Sequence, residues 1–373
     1  MAGHVVLAPD KFKGSLPAAA VAAHLGAGLR RAVPDLEVRV APVADGGDGT
    51  VEAAVAGGFD RVAVRAADPL GAAVDAAIAV RASTGVVEMA QASGLHRLTS
   101  AEPLRASSFG TGELILAALD AGSDTIILGV GGSACTDGGA GMLEALGARL
   151  SYRDGSESGR GGGALRSLRS IDLSGLDPRI HHTEFIIASD VDNPLLGPHG
   201  AAHVFGPQKG ATANQVTLLA EGLRRWAELV APAVGRDYSA QPSAGAAGGV
   251  GFAAMAGLGA RVRPGIELLL EMTGFAQLLT GARLVLTGEG SLDEQSLRGK
   301  APVGVARAAA AEGVTTVAVA GVTTLSALDL RAAGFAATYP LADLEPNLER
   351  SMTAAGPLLE RIGARIAHDW LSE

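Results

Sequence analysis

One cysteine, Cys135, in 373 residues leaves no partner for an internal disulfide and no thiolate set for a structural zinc site. Aromatic residues make up only 3 %, so much of the apolar content is alanine, which lets helices lie close on sheets. No apolar run reaches the length of a membrane span. Basic residues are outnumbered, 30 against 39, and the net charge of -9 denies the chain the broad basic face that nucleic acid requires. No segment fits G-x-x-x-x-G-K-[ST], which excludes a P-loop enzyme. The eight histidines are scattered, with His181-His182 in an expected surface turn, and no Ser-His-Asp spacing supports a hydrolase triad. The opening "MAGHVVLAPD" enters a strand pattern at once, so no secretory leader is expected. These absences lead to the expectation of a cytoplasmic protein with no nucleic-acid or membrane partner; a homodimer stays open.

What is abundant is glycine, 52 residues and about double ordinary usage. It has no Gly-X-Y period and sits in clusters between apolar runs. The length favours two domains. Three segments share one grammar of apolar strand, polar loop and Ala-rich helix: "HVVLAPDKFKGSLPAAAVAAHLGAGLRRAV" at the start, then "ARLVLTGEGSLDEQSLRGKAPVGVARAAAAEG" and "VTTVAVAGVTTLSALDLRAAG" near the end. That grammar predicts right-handed βαβ units and a parallel sheet built from both chain ends. Between them, "DRVAVRAADPLGAAVDAAIAVRASTGVVEMAQASG" has closely spaced strand runs around a "PLG" turn, which predicts antiparallel pairing. The expected fold class is therefore two-domain α/β. Residues 1–60 plus 276–373 form a Rossmann-like parallel-sheet domain, residues 61–275 an inserted α/β domain with a mixed sheet, and the active site lies in the cleft between them. The polar "YRDGSESGRGGGAL" at 152–165 is expected to be a mobile loop.

Five loops at expected strand ends carry the polar chemistry. "APDKFKGS" places Lys11 and Lys13 before Ser15, an expected helix N-cap, which makes an anion site at a helix start. "VADGGDGT" puts Asp45 and Asp48 among glycines, suited to substrate hydroxyls or a hydrated Mg²⁺, although two side-chain turns would also account for them. "GVGGSACTDGGAGM" offers Gly131, Gly132, Ser133, Thr136 and Asp137 in a phosphate-loop-like stretch. Tight strand–helix packing would use the same glycines. "SDVDNPLLG" brings out Asp190 and Asp192, one able to accept a hydroxyl proton and the other to bind metal. "TGEGSLDEQSLRGKAP" mixes Glu289, Asp293, Arg298 and Lys300.

Open α/β sheets bind ligands beyond the carboxyl ends of their strands. Lysines, acids and free backbone N–H groups gathered there are the means of phosphoryl transfer, which depends on positioning and charge neutralisation. Asp190 is the first choice for the base, because the run "EFIIA" should hold it rigidly and place Asp192 on the same face.

Together "APDKFKGSL", "PVADGGDGT", "FGTGELI", "GVGGSACTDGGAGM", "SDVDNPLLG", "FGPQKGA", "GAAGGVGFAAMA", "GIELLLE" and "TGEGSLDEQSLRGKAPVGVA" resemble the bacterial type-I glycerate kinases, in order and through nearly the whole chain. The resemblance implies a two-domain α/β enzyme that moves the γ-phosphoryl group of ATP to D-glycerate, giving 2-phosphoglycerate, with ATP as co-substrate and Mg²⁺ as its ion. On that reading Asp190, Lys11 and Lys13 are catalytic. Asp45, Asp48, Gly131, Gly132, Ser133, Thr136, Glu289, Asp293 and Lys300 bind substrate or phosphate, and Asp192 with Asp190 binds Mg²⁺. The family pattern often has Cys before Asp190, where this chain has Ser189, a near-isostere. A kinase producing 3-phosphoglycerate, one acting on another small hydroxy acid or polyol, and a non-catalytic anion sensor are the alternatives.

Overall fold

A computed structural model describes residues 3–153 and 159–372. Its strands in chain order are β1 (His4–Pro9), β2 (Val38–Val40), β3 (Asp60–Ala67), β4 (Ala73–Arg81), β5 (Thr84–Glu88), β6 (Thr125–Gly129), β7 (Arg149–Tyr152), β8 (Leu168–Asp172), β9 (Glu184–Ala188), β10 (Arg261–Arg263), β11 (Ala282–Leu292), β12 (Thr316–Thr323) and β13 (Phe335–Pro340). The chain divides into two compact units, one of Met1–Asp45, Glu52–Gly57 and Ile266–Glu373, the other of Gly46–Val51 and Gly58–Gly265.

The first unit holds a five-stranded parallel sheet in the order β13-β12-β11-β1-β2. β1 reads HVVLAP with every residue buried, as a central strand covered on both faces must. From β1 the chain crosses to β2 in one direction, and from β11 it crosses to β12 and β13 in the other. The strand order therefore reverses between β1 and β11. Helix Ala18–Ala32 buries Val21, Ala22, Leu25 and Leu29, one stripe at helical spacing, and Arg30 and Arg31 in its last turn suit the negative end of its dipole. Helix Ala355–Leu371 supplies the matching stripe Leu358, Leu359, Ile362 and Ile366. The expected domain boundary at 275/276 moves to 265/266 for a packing reason. Ile266 and Leu269, on helix Gly265–Met272, join the core formed by Val6, Ala8, Val285 and Val305.

The second unit is built on a six-stranded mixed sheet in the order β10-β9-β6-β5-β4-β3. β5, β6, β9 and β10 run parallel, while β3-β4 and β4-β5 are antiparallel hairpins, the first turning at the predicted "PLG". Helix Ala213–Val234 opens with a capping box, Thr212 with Gln215, and ends at the left-handed Gly235. It buries Leu219, Leu223 and Trp226 into the core of this unit. Of the expected mobile loop, 154–158 lie outside the described residues. On either side of them stand Tyr152 in β7 and an ordered turn, Gly162–Ser167, that buries Leu165.

Helices 18–32 and 355–371 approach so closely that a Cβ at Gly28 would lie 2.1 Å from the Glu360 carbonyl oxygen. Gly28→Ala should cost about 1–3 kcal/mol through this overpacking. Thermal unfolding of the full chain checks it: a lower Tm is expected, and an unchanged one would show that the helices can part freely.

Candidate active site

In the second unit three of the five loops meet. The Gly131 amide donates to the Gly46 carbonyl at 3.0 Å, which ties "VADGGDGT" to the loop after β6. A Cβ on Gly131 would stand 2.4 Å from the Gly47 Cα, and one on Gly132, at φ +72°, 2.1 Å from the Asp48 Oδ1. Only glycine permits that approach. Glu88, buried at the end of β5, accepts the amides of Gly49 at 3.2 Å and Val51 at 3.0 Å. Behind Gly46 lies Ala188, the last residue of β9, whose carbonyl oxygen would be 2.5 Å from a Cβ at 46.

The loop after β6 is braced from beneath by Asp137. Its wholly buried carboxylate accepts from the Ser108 amide at 2.8 Å, the Ser108 hydroxyl at 2.9 Å and the Gly139 amide at 3.1 Å, with Ser107 Oγ and the Gly141 amide at 3.3 Å. Trp226 adds an indole N–H to the Gly138 carbonyl at 2.9 Å. Gly131 and Gly132 reach solvent, and Ser133 is 8 % exposed beside them. Thr136 is 0 % exposed and lies in the loop's support. Burial pushes the Cys135 thiol well above its ordinary range, with the Asp137 charge adding to the rise, so this cysteine is a packed side chain.

Asp190 and Asp192 are exposed. β9 stops at Ala188, so both stand in irregular chain, and the alternation of a strand does not place them on one face as expected. Asp190 Oδ1 accepts the Gly265 amide at 3.0 Å, at the start of helix 265–272.

The first unit gathers the other loops around the reversal of strand order. Asp10 follows β1 directly and is 7 % exposed. Its Oδ1 accepts the Lys11 amide at 2.6 Å and faces the Lys11 Nζ at 3.7 Å. Burial raises the Asp10 carboxyl to about 7; Lys11 opposes the rise, while the charges of Asp45 and Glu289 add to it. Glu289, on β11, is also raised, chiefly by burial, although it accepts from Ser296 Oγ at 2.5 Å and feels Lys300. Asp293 accepts the amides of Gln295 at 2.8 Å and Ser296 at 3.3 Å, the bonding of a side-chain turn. Lys300 precedes helix Ala301–Ala311 and donates to Gln295 at 3.4 Å.

Lys13 is exposed. Ser15 does not cap the helix: its hydroxyl donates to the Met352 carbonyl at 2.6 Å, and Phe12 and Leu16 exchange backbone bonds in a tight turn. The helix starts at Ala18 with Pro17 at the cap, so Lys11 precedes that turn, Lys13 lies within it, and neither lies at the helix start.

Asp10, Glu88 and Lys209 were not singled out by sequence reasoning. An acid that directly ends a six-residue buried strand was the signal for Asp10. Among the described residues, no group of three or more His, Cys, Asp or Glu is disposed to hold a metal. Mg²⁺ commonly binds through one or two carboxylates plus phosphate oxygens and water, a mode that exposed Asp190 and Asp192 fit.

Because the Asp10 carboxyl titrates near 7 in the folded chain and near 4 when unfolded, folding favours its protonated form. Native protein holds this proton through that window after the unfolded chain has lost it, so stability falls as pH rises from about 4 to about 7. Asp10→Asn should therefore stabilise the metal-free protein above pH 7, by up to about 4 kcal/mol, and change little near pH 4. Urea unfolding at pH 4, 6 and 8 measures it, and an equal difference at all three would contradict the assignment.

The sequence matches the Glycerate kinase family over residues 5–371. It is 43 % identical over 368 residues to a glycerate kinase of Halalkalibacterium halodurans, covering 97 % of each chain. It is 46 % identical over 323 residues to the glycerate 2-kinase of Escherichia coli K12, covering 85 % of this chain and 84 % of that one. A crystal structure from Salmonella typhimurium LT2, described provisionally as glycerate kinase 2, superposes with a TM-score of 0.83 at 40 % identity, covering 99 % of this chain and 98 % of the other. On the family match and these relatives, the chain belongs to the glycerate kinase family and is a phosphotransferase with an alcohol group as acceptor.

Proposed function

We propose that this chain transfers the γ-phosphoryl group of ATP to the C2 hydroxyl of D-glycerate, giving 2-phosphoglycerate and ADP. The observation that carries the reading is the tying of the Gly46–Gly47 turn against Gly131 and Gly132 beyond the carboxyl end of β6, an approach only glycine permits, which leaves a compact polar loop able to face an anion. The name of the E. coli relative, glycerate 2-kinase, supports the position of transfer. Gly131, Gly132 and Ser133 present backbone N–H and hydroxyl donors to an anion, and Lys11 and Lys13 add positive charge. Asp45, Asp48, Glu289, Asp293 and Lys300 complete the binding of hydroxyls and phosphate.

In the transfer, the substrate O–H bond breaks and its proton passes to a carboxylate. The same oxygen bonds to the γ-phosphorus, and the bond from that phosphorus to the bridging oxygen of ADP breaks. Asp190, exposed at the end of β9 and held by the Gly265 amide, is the proposed acceptor of the proton. Asp10 is the competitor, because a carboxyl raised to about 7 is well matched to accepting a proton at neutral pH. Asp190 and Asp192 would hold Mg²⁺, which neutralises phosphate charge when bound.

Turnover of ATP with D-glycerate should vanish in excess EDTA and return with Mg²⁺, and ³¹P–¹³C coupling should place the new phosphate on C2. Turnover unaffected by EDTA would remove the metal from the scheme; coupling to C3 would make the product 3-phosphoglycerate. Asp190→Asn should lower kcat by roughly 10²–10⁴-fold while D-glycerate still binds. If it falls less than tenfold and Asp10→Asn falls by that range instead, the proton goes to Asp10.

A further inference from the structure

Lys209 belongs to "FGPQKGA", a motif so far without a role. Its side chain is 3 % exposed, unusual for an ammonium, which is strongly hydrated in water. It lies in the second unit and reaches back 76 positions in the sequence to the loop after β6. There its Nζ donates to Ser133 Oγ at 2.8 Å and to the Cys135 carbonyl at 2.5 Å. Burial works against its charge, and the Asp137 carboxylate, which works in its favour, has its oxygens already occupied by the Ser107–Ser108 and Gly139–Gly141 donors.

This geometry constrains the Ser133 hydroxyl. An ammonium has three donors and no lone pair, so Ser133 Oγ can only accept from Lys209. The serine proton must point elsewhere, and among the described residues no acceptor takes it. The loop backbone is fixed as well: the Leu95 amide bonds the Gly132 carbonyl at 2.8 Å and the Ala134 amide bonds the Ser93 carbonyl at 2.9 Å. Ser133 is 8 % exposed and adjoins exposed Gly132. A hydroxyl that accepts from a buried cation is a stronger donor through its remaining proton.

We propose that Lys209 is a positioning residue for the anion loop: it fixes and polarises Ser133 so that the serine hydroxyl donates to an anionic oxygen of a reactant. That oxygen belongs either to a phosphate of ATP or to the carboxylate of D-glycerate, a choice that rests on the functional reading above. A purely structural lysine would hold the loop without sending Ser133's proton outward.

Calorimetric titration with ATP, D-glycerate and inorganic phosphate, run separately on wild type, Ser133→Ala, Lys209→Met and the double variant, tests this. Ser133→Ala should weaken one of the first two ligands by about tenfold or more and leave the other within about twofold, the loss of one hydrogen bond to a charged group. Lys209→Met should weaken the same ligand at least as much, and the double variant no further, because both changes remove one device. Thermal melting separates these losses from unfolding. If Lys209→Met does not fold, Ser133→Ala decides alone, with Lys209→Arg as the charge-retaining control. Ser133→Ala binding both ATP and D-glycerate within twofold of wild type, or additive losses in the double variant, would overturn the proposal and leave the kinase reading intact. Wild type that binds phosphate in a Ser133-dependent way, but neither ATP nor D-glycerate, would overturn the kinase reading and leave the couple standing.

Discussion

A carboxylate sealed from water is tolerable only if protein donors replace its hydration, and Asp137 meets that condition with five donors from two chain segments. Everything in the loop after β6 follows from this. The Ser107–Ser108 turn is fixed at the start of helix Phe109–Asp120, and Gly139 and Gly141 are fixed at the start of helix Ala140–Ala145. Buried Lys209 adds two further bonds to the same loop, to Ser133 Oγ and the Cys135 carbonyl. Gly131 and Gly132, which reach solvent, and Ser133 beside them are therefore presented on a base that cannot shift without breaking the buried hydrogen bonds of Asp137, an expensive change in low dielectric.

The first unit follows a different rule. In a parallel sheet whose strand order reverses, the helices on either side of the reversal diverge, and a ligand can reach the strand ends there. Asp10 follows β1 and Glu289 sits on β11, the two strands flanking the reversal. Burial raises both carboxyls, with the charges of Asp45 and Glu289 adding at Asp10 and those of Asp45 and Asp293 adding at Glu289, so both strand ends carry an electrostatic cost that an apolar strand end would not. Such cost is what catalytic carboxylates carry when the protein adjusts their affinity for protons.

The sheets were legible because their strands are nearly unbroken apolar runs: HVVLAP, TIILG and EFIIA appear as β1, β6 and β9. The loops were legible as places but not as geometry. Ser15 has the right identity for a cap, yet the Phe12–Leu16 turn takes the chain elsewhere first. Asp190 and Asp192 have the spacing of one strand face, but β9 ends two residues before the first of them. Lys209 lies in a Gly-Pro-Gln-Lys-Gly stretch, quoted above only for its resemblance. Only tertiary structure carries it to Ser133, and no local periodicity encodes such a contact. The boundary at 265/266 was hidden for a related reason: helix 265–272 is apolar enough for either core, and packing decides between them.

Close backbone approach around the loop has a local cost that clarifies its purpose. Ala247, Gly248 and Gly249 are all left-handed, at φ +53°, +68° and +98°, and for alanine this conformation costs about 1–2 kcal/mol. The bend lets the Gly248 carbonyl accept the Gly138 amide at 3.0 Å and brings Gly248 so near Cys135 that a Cβ would lie 2.2 Å from its carbonyl oxygen. That same Cys135 carbonyl is the second acceptor for Lys209. The strained bend and the buried lysine thus act on one peptide from two directions. Fixing a peptide this firmly is costly for a loop that only connects a strand to a helix. It is useful for a loop whose donors must already point at developing charge, since donors that need not reorganise stabilise that charge most.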